Sequence, residues 1–524
     1  MEQTLFPKKN LRTTPLKQND KSFFSGAWSS IIILATFGLI VAFRYLVLSR
    51  FSFKFTDSDQ TIMWFAANEF SNGRFHEPCF YGQAYNSMIE ALLAVPLIKL
   101  GLPIYKALPI ISTLLSTLPF FLISLVLFLK DLRFQSFLCL GLLLVLPVEY
   151  DLITSLSRGF VPGLFFTALG SLVLLDSRNK WLHLSLGLFG ILGYSLNPNS
   201  LILFIPSFLY GFLVNFKNKR FYIYFGLGAL IASAVHFLTR YFYVLHPNYN
   251  LHQQWRSEFT FHELFQNVQT IDKFFNDLVP LFWFNGWLIL VIGLLMIFSL
   301  FRNGNHKAAF SLLGAFLFIL FSFGVNKILD GRGSIFFPYS RMFLGIPFLL
   351  GIYTPFLFKS PKKYRTFLAI IPLLFFVIKC GQLDDTIKRY TATPLGSVVP
   401  VAEIGYIREE CQKLDTISRH FGIDLIILVN QWHFDLFNYA CPAFHSDFPN
   451  TLRPAYERRT WRLIEDEKKV YPDILLIDVL REMDHKTISE KISLQKYQDV
   501  YLIKNNTYPT RALLRALGIG IRDY

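Results

Sequence analysis

Through most of the chain, apolar residues come in blocks of roughly 15 to 25, the length that crosses a hydrocarbon layer as a helix. The first block runs roughly from Phe24 to Leu48, and a long mixed segment follows to about Leu100. Later blocks are punctuated by basic clusters at Lys130/Arg133, Arg178/Lys180, Lys217/Lys219/Arg220, Arg302/Lys307 and Lys359/Lys362/Lys363/Arg365. Counting blocks between clusters predicts about eleven spans, the last over roughly Thr366 to Lys379. Beyond Gly381 the pattern changes. Charges become frequent, and short apolar runs at Leu425–Val429, Ile474–Ile477 and Val500–Ile503 alternate with helix-like polar segments, the mark of a soluble α/β domain. The expected fold is a polytopic α-helical membrane protein, with a membrane domain over 1–380 and an extracytoplasmic α/β domain over 381–524 that folds independently and carries no catalytic cluster of its own.

Composition agrees: 53% of the residues are hydrophobic and only 17% charged, which excludes an ordinary soluble enzyme. Of 89 aromatics, 57 are Phe, which carries no polar atom needing a partner in lipid. The net charge of +15 is not a nucleic-acid footprint, because it is dispersed. From Gln382 onward there are 19 Lys+Arg against 20 Asp+Glu, so the excess belongs to the membrane half, where it marks cytoplasmic loops and meets anionic lipid headgroups. The basic stretch before Phe24 reads as a cytoplasmic N-terminal tail, and an odd number of spans then places the C-terminal domain outside.

Five scattered cysteines make neither a disulfide framework nor a metal site, and the eleven His show no HExxH spacing. Cys411 and Cys441 lie in the outer domain, where a bridge is chemically allowed; unpaired buried thiols are the plainer reading. Inner loops are too short for a nucleotide-binding domain, and no Gly-rich phosphate loop occurs there. The polar residues able to act are outside. In the loop 49–100, Ile62, Phe65, Ala66 and Phe70 recur at helical spacing, predicting an interfacial helix over Asp59–Phe70 ended by Ser71-Asn72-Gly73, and a second over roughly Ala84–Leu100. Asp57 and Gln60 are spaced as a helix cap and its N3 partner. Asp57, Asp59 and Glu90 then lie at the depth of lipid phosphates. His246, His252 and Arg256 with Trp255 suit interface anchoring or sugar stacking.

The DSDQ at 57–60 followed by EPCFYGQAYNSMIEALLA resembles the DSDE…P.F.YGQ.Y.GS.EA.LA block of bacterial GT-C glycosyltransferases, the polytopic class that includes aminoarabinose and protein mannosyltransferases. SRGFVPGLF at 157–165, GYSLNPNSLILFIP at 193–206 and SRMFLGIPFLL at 340–350 resemble later motifs of that class in the same order. Gln60, Phe160 and Met342-Phe343 depart from it, and Gln60 leaves Asp57 and Glu90 as the nearby carboxylates besides Asp59.

The resemblance implies a GT-C-like fold in a bacterial inner membrane and an inverting displacement from a polyprenyl-phosphate sugar donor to a glycan, lipid or protein acceptor. Asp59 is the expected base, Asp57 a cap or second catalytic carboxylate, and Glu90, Tyr81 and Gln83 substrate-positioning residues. Arg158 and Arg341 are the expected ligands of the donor phosphate, since a guanidinium matches phosphate oxygens in a fork. A divalent cation has room in such chemistry, though no ligand spacing demands one. The competing class is a lipid or glycan transporter, which needs ionisable residues facing a path at mid-membrane; the blocks near 279–301 and 342–358 have none.

Overall fold

Apolar blocks this long satisfy their backbone polar groups only as helices, and helices dominate the chain. A computed structural model describes residues 27–521 apart from 82, 250, 252–257, 284, 358–364, 393–400, 430–433, 446, 478–489, 495 and 496. Helix α1 (Ala27–Val47) leads through a π turn into strand β1 (Phe55–Thr56), helix α2 (Ser58–Ser71), the hairpin β2 (Cys79–Phe80) and β3 (Gln83–Ser87), and helix α3 (Ile89–Lys99). The bundle continues with α4 (Ile104–Leu129), α5 (Arg133–Val145), α6 (Val148–Thr154), α7 (Pro162–Ser171), α8 (Lys180–Leu196), α9 (Leu201–Asn215) and α10 (Lys219–Leu245). After the short α11 (Phe261–Gln269) and α12 (Asp272–Phe275) come α13 (Trp287–Arg302), α14 (His306–Ser322), the single turn α15 (Asn326–Leu329), α16 (Ile346–Leu357) and α17 (Arg365–Thr391).

Among the described residues, four helical segments are long and apolar enough to cross a membrane: Ser29–Ser52, α4, Pro198–Asn215 and α10. Helices α5 and α6, bent by 91° at Leu146-Pro147, make a fifth apolar path. The blocks containing α7, α13, α14 and α16 fold as helices of only 10–17 residues. Close approach of α8 and α10 depends on small residues: a Cβ added to Gly187 would lie 2.1 Å from the Phe225 carbonyl oxygen, and one on Gly228 2.2 Å from that of Leu184. A buried ionic triad ties three helices together, with Asp151 of α6 held by Arg44 of α1 at 3.1 Å and by Lys379 of α17.

The remainder forms β4 (Ala402–Glu403), α18 (Ile404–Phe421), β5 (Leu425–Leu428), α19 (Phe434–Phe444), β6 (Asn450–Leu452), α20 (Thr460–Lys468), β7 (Ile474–Ile477), β8 (Glu490–Leu494), β9 (Tyr497–Ile503) and α21 (Thr510–Ala516). All three apolar runs of this region lie in one five-stranded sheet of order β6-β5-β7-β9-β8. Strand β5 runs parallel to β6 and β7, while β9 is antiparallel to β7 and β8. Cys411 of α18 and Cys441 of α19 form a disulfide, so the reading of free thiols is replaced: the two helices pack side by side and bring the Cα atoms to 5.0 Å.

Three further expectations change. Gly381 lies inside α17, which continues to Thr391, so the passage between the two parts falls later. The helix expected over Ala84–Leu100 begins only at Ile89: Gln83–Ser87 is a strand paired with β2, and the Asn86 side chain accepts the Ser87 N–H at 3.0 Å, diverting a backbone donor to a side chain. Finally, the apolar stripe of α2 faces protein. Ile62, Phe65 and Ala66 are buried in one core with Ile407, Ile426 and Leu436 of the C-terminal unit. Phe55 and Thr56 pair with Glu403 and Ala402, and the Ile404 N–H reaches the Lys54 carbonyl at 2.7 Å. The C-terminal unit is therefore not an independent body, because part of its core is supplied by α2.

A fragment beginning at Gln382 is accordingly expected to lack a cooperative thermal transition and to bind an apolar dye, with Cys411–Cys441 intact. Co-expression with the 1–381 fragment should restore a cooperative transition, measured by calorimetry.

Candidate active site

Asp57 opens α2 as its N-cap: its Oδ1 accepts the Gln60 N–H at 3.2 Å, and Asp59 follows in the first turn. This cap carries both carboxylates to the junction of the bundle, α2 and the C-terminal unit. Arg158, from the loop between α6 and α7, meets them there. Its Nη1 lies 3.2 Å from Asp57 Oδ2, and its Nη2 donates to Asp59 Oδ2. Asp57 and Arg158 are almost wholly buried, whereas the Asp59 side chain keeps 24% exposure.

These environments push the two carboxylates apart. Burial raises the Asp57 pKa to about 6, against the opposing pull of Arg158 and with the charge of Asp59 adding to the rise. Burial acts on Asp59 in the same sense, but Arg158 and then Arg458 more than reverse it, leaving its pKa below the usual value. Asp59 is the more acidic and the more exposed member of the pair.

Five polar contacts fix the loop that carries Arg158. Glu90 Oε2 accepts the Gly159 N–H at 2.6 Å, and Asn86 Nδ2 donates to the Arg158 carbonyl at 3.0 Å. Asn197 Nδ2 donates to the Gly159 carbonyl at 3.0 Å and Asn199 Nδ2 to the Phe160 carbonyl at 2.7 Å, while the Ser157 and Ser112 hydroxyls lie 2.8 Å apart. The motif segments that are far apart in sequence thus converge on four residues. Gly159 has φ +75°, and a Cβ there would lie 1.8 Å from Asn86 Oδ1, so only glycine fits.

Glu90 is fully buried and also accepts from Ser112 Oγ at 2.6 Å; burial lifts its pKa to about 7, against these two hydrogen bonds. It acts on the loop and touches neither aspartate through any of these contacts. Arg341, in the segment between α15 and α16, is buried, with Nη1 3.2 Å from the Pro338 carbonyl. Its guanidinium stacks on the Phe337 ring at 4.2 Å, the same ring that Arg158 approaches at 5.5 Å. Phe337 is thus a ring that both arginines approach, and Arg158 is also engaged with the aspartates. Tyr81 takes the positive φ of the β2–β3 turn, and its buried ring packs 6.1 Å from Phe65. Gln83 is buried at the start of β3. Both lie behind α2. His246 stacks on Phe242 at 4.3 Å; His252, Trp255 and Arg256 lie outside the described residues.

Phe337, Asn86, Asn197, Asn199 and Arg458 were not singled out by the sequence, although both Asn197 and Asn199 stand in the GYSLNPNS motif. Among the described residues no group of three His, Cys, Asp or Glu converges, and both aspartates are matched by arginine.

With this geometry established, comparison with solved structures becomes informative. ArnT from Cupriavidus metallidurans matches in its apo state and in its complex with undecaprenyl phosphate, each with TM-score 0.55, over 91% of this chain and 98% of that one. The chain has the fold of ArnT. Sequence identity is only 9% and 10% in the two comparisons, so the likeness lies in architecture. No family model matches the sequence, and no characterised protein matches it by sequence comparison.

Two substitutions probe the site without touching the aspartates. Gly159→Ala is expected to lose about 1–3 kcal/mol from the strained φ alone, with the clash at Asn86 adding to it, seen as a lowered melting temperature. For Glu90 the folded pKa, about 7, exceeds the ordinary 4.5, so its contribution to stability is full below 4.5 and is lost as pH rises through about 7. Glu90→Gln keeps the size and can still bond Gly159 and Ser112; its melting temperature should fall less than the parent's between those pH values, the residual slope belonging to other buried acids of raised pKa, Asp57 and Asp277 among them.

Proposed function

We propose that this protein is an integral-membrane glycosyltransferase that moves a sugar from a polyprenyl-phosphate donor to an acceptor outside the cytoplasm. The observation that carries this reading is the buried Arg158 converging on Asp57 and Asp59 at the junction of bundle and C-terminal unit, within the fold of ArnT. Support for the donor comes from the ArnT complex with undecaprenyl phosphate and from the motif resemblance to GT-C enzymes. Support for the sidedness comes from the basic clusters between apolar blocks and from the Cys411–Cys441 bridge, which belongs in an oxidising compartment. In this reading the four shorter apolar helices, together with α8 and α17, complete about eleven crossings in a bacterial inner membrane, with the N-terminus cytoplasmic and the C-terminal unit outside.

Asp59 takes the proton of the acceptor hydroxyl as that oxygen attacks the anomeric carbon, and the bond from carbon to phosphate oxygen breaks with inversion. The departing polyprenyl phosphate carries the electron pair, and Arg158 and Arg341, which both approach the Phe337 ring, are the cations we assign to receive it. Asp57 holds α2 and Arg158 in place, and Glu90 holds the Arg158 loop.

Cells lacking the protein should accumulate one polyprenyl-phosphate sugar, detectable by mass spectrometry of lipid extracts; an unchanged lipid profile speaks against the donor class. In purified protein supplied with that lipid, Asp59→Asn should lower transfer by about 10² to 10⁴ while leaving donor binding intact. Asp57→Asn retains the cap and should stay within about tenfold of the parent, whereas Asp57→Ala should lose more than the about 1 kcal/mol of a helix cap, because it also removes the buried partner of Arg158. Near-normal transfer by Asp59→Asn would remove it as the base.

A further inference from the structure

Asp59 faces two guanidiniums. Arg158 from the bundle takes Oδ2, and Arg458 from the C-terminal unit lies 3.7 Å from Oδ1. Arg458 belongs to the turn between β6 and α20, and its surroundings are built to hold it still. Its neighbours Glu457 and Arg459 form an ion pair at 2.8 Å with both side chains fully buried. Glu457 also accepts from Asn438 Nδ2 at 2.9 Å and from the Tyr439 hydroxyl at 3.1 Å. Arg459 Nη2 donates to the Thr451 carbonyl at 3.1 Å and to Asn438 Oδ1 at 2.9 Å. The Arg458 N–H itself donates to the Tyr439 oxygen at 3.1 Å.

A fully buried ion pair contributes little net stability compared with apolar packing of the same volume. What this one supplies is a turn that cannot shift. The turn is also registered directly on the helix that bears Asp59, because the Arg459 guanidinium lies 4.7 Å from the ring of Phe65 in α2. Arg458 thus projects from an immobile turn to the reactive carboxylate, and it does so across the junction between the two parts of the chain.

We propose that Arg458 is a positioning residue of the transfer site: with Arg158 it grips the two oxygens of Asp59 and fixes the direction in which that carboxylate meets the acceptor hydroxyl. The inference rests on the reading of Asp59 as the base. It makes the site composite, with the C-terminal unit supplying part of the geometry although no reacting group comes from it. The second cation also keeps Asp59 ionised at lower pH than Arg158 alone would.

The test uses the full-length protein in detergent, with donor purified from cells lacking the protein and the envelope fraction of the same cells as acceptor. Arg458→Gln should lower kcat about tenfold or more through misalignment, with little change in the KM for donor. Its acidic limb of kcat/KM should move to higher pH, since loss of a cation raises the pKa of Asp59 and the base is then protonated sooner as pH falls. Arg458→Lys should return the limb towards the parent position but recover kcat only in part, because the charge is kept while the planar guanidinium and its reach are lost. If Asp59→Asn abolishes transfer while Arg458→Gln retains both kcat and limb, the role of Arg458 is overturned and the transferase reading stands. If Asp59→Asn remains active, the base assignment falls and this inference with it. Should Arg458→Gln melt early, Arg458→Lys decides: a limb displaced as far as that of the Gln variant overturns the proposal.

Discussion

The site depends on one guanidinium shared between two carboxylates. Asp57 and Asp59 start the same helical turn, and two negative charges there would repel and resist burial. Arg158 resolves this by lying against both, and burial of Asp57 is tolerable only while Arg158 stays in place. The position of Arg158 in turn requires a loop that turns sharply at Gly159 and has its carbonyls and N–H bound by side chains from β3, α3 and the α8–α9 connection. Much of the polar detail of the bundle serves that loop.

The same constraint explains why the two parts of the chain are interlocked. The helix capped by Asp57 carries the apolar stripe Ile62, Phe65 and Ala66, and a stripe of that kind must be covered. The C-terminal unit covers it, using α18, α19 and the sheet, and adds the short β1–β4 ladder. Packing on α2 then brings the turn of Arg453–Thr460 within reach of Asp59, so that hydrophobic cover and catalytic geometry come from one docking event. The disulfide between α18 and α19 closes the far side of this cover.

What the sequence by itself determined is local or one-dimensional. Long apolar blocks can satisfy their backbone only as helices, the three short runs of the C-terminal region could only be buried strands, and the spacing of Asp57 and Gln60 is that of a capped helix start. The motif segments contain both Asp59 and Arg158, but their pairing is a matter of tertiary structure. Tertiary structure decided the rest, because it concerns which surfaces meet. The apolar stripe of α2 has the same pattern whether lipid or protein covers it, and only packing shows that it is protein. Lone polar residues such as Asn86 and Asn199 carry no periodicity, so their hold on the Arg158 loop appears only when β3 and the α8–α9 connection are brought together. Arg458 is one basic residue in a charged turn; nothing local distinguishes it, and its meeting with Asp59 is set by how the C-terminal unit docks on α2, since side-chain electrostatics act across space rather than along the chain.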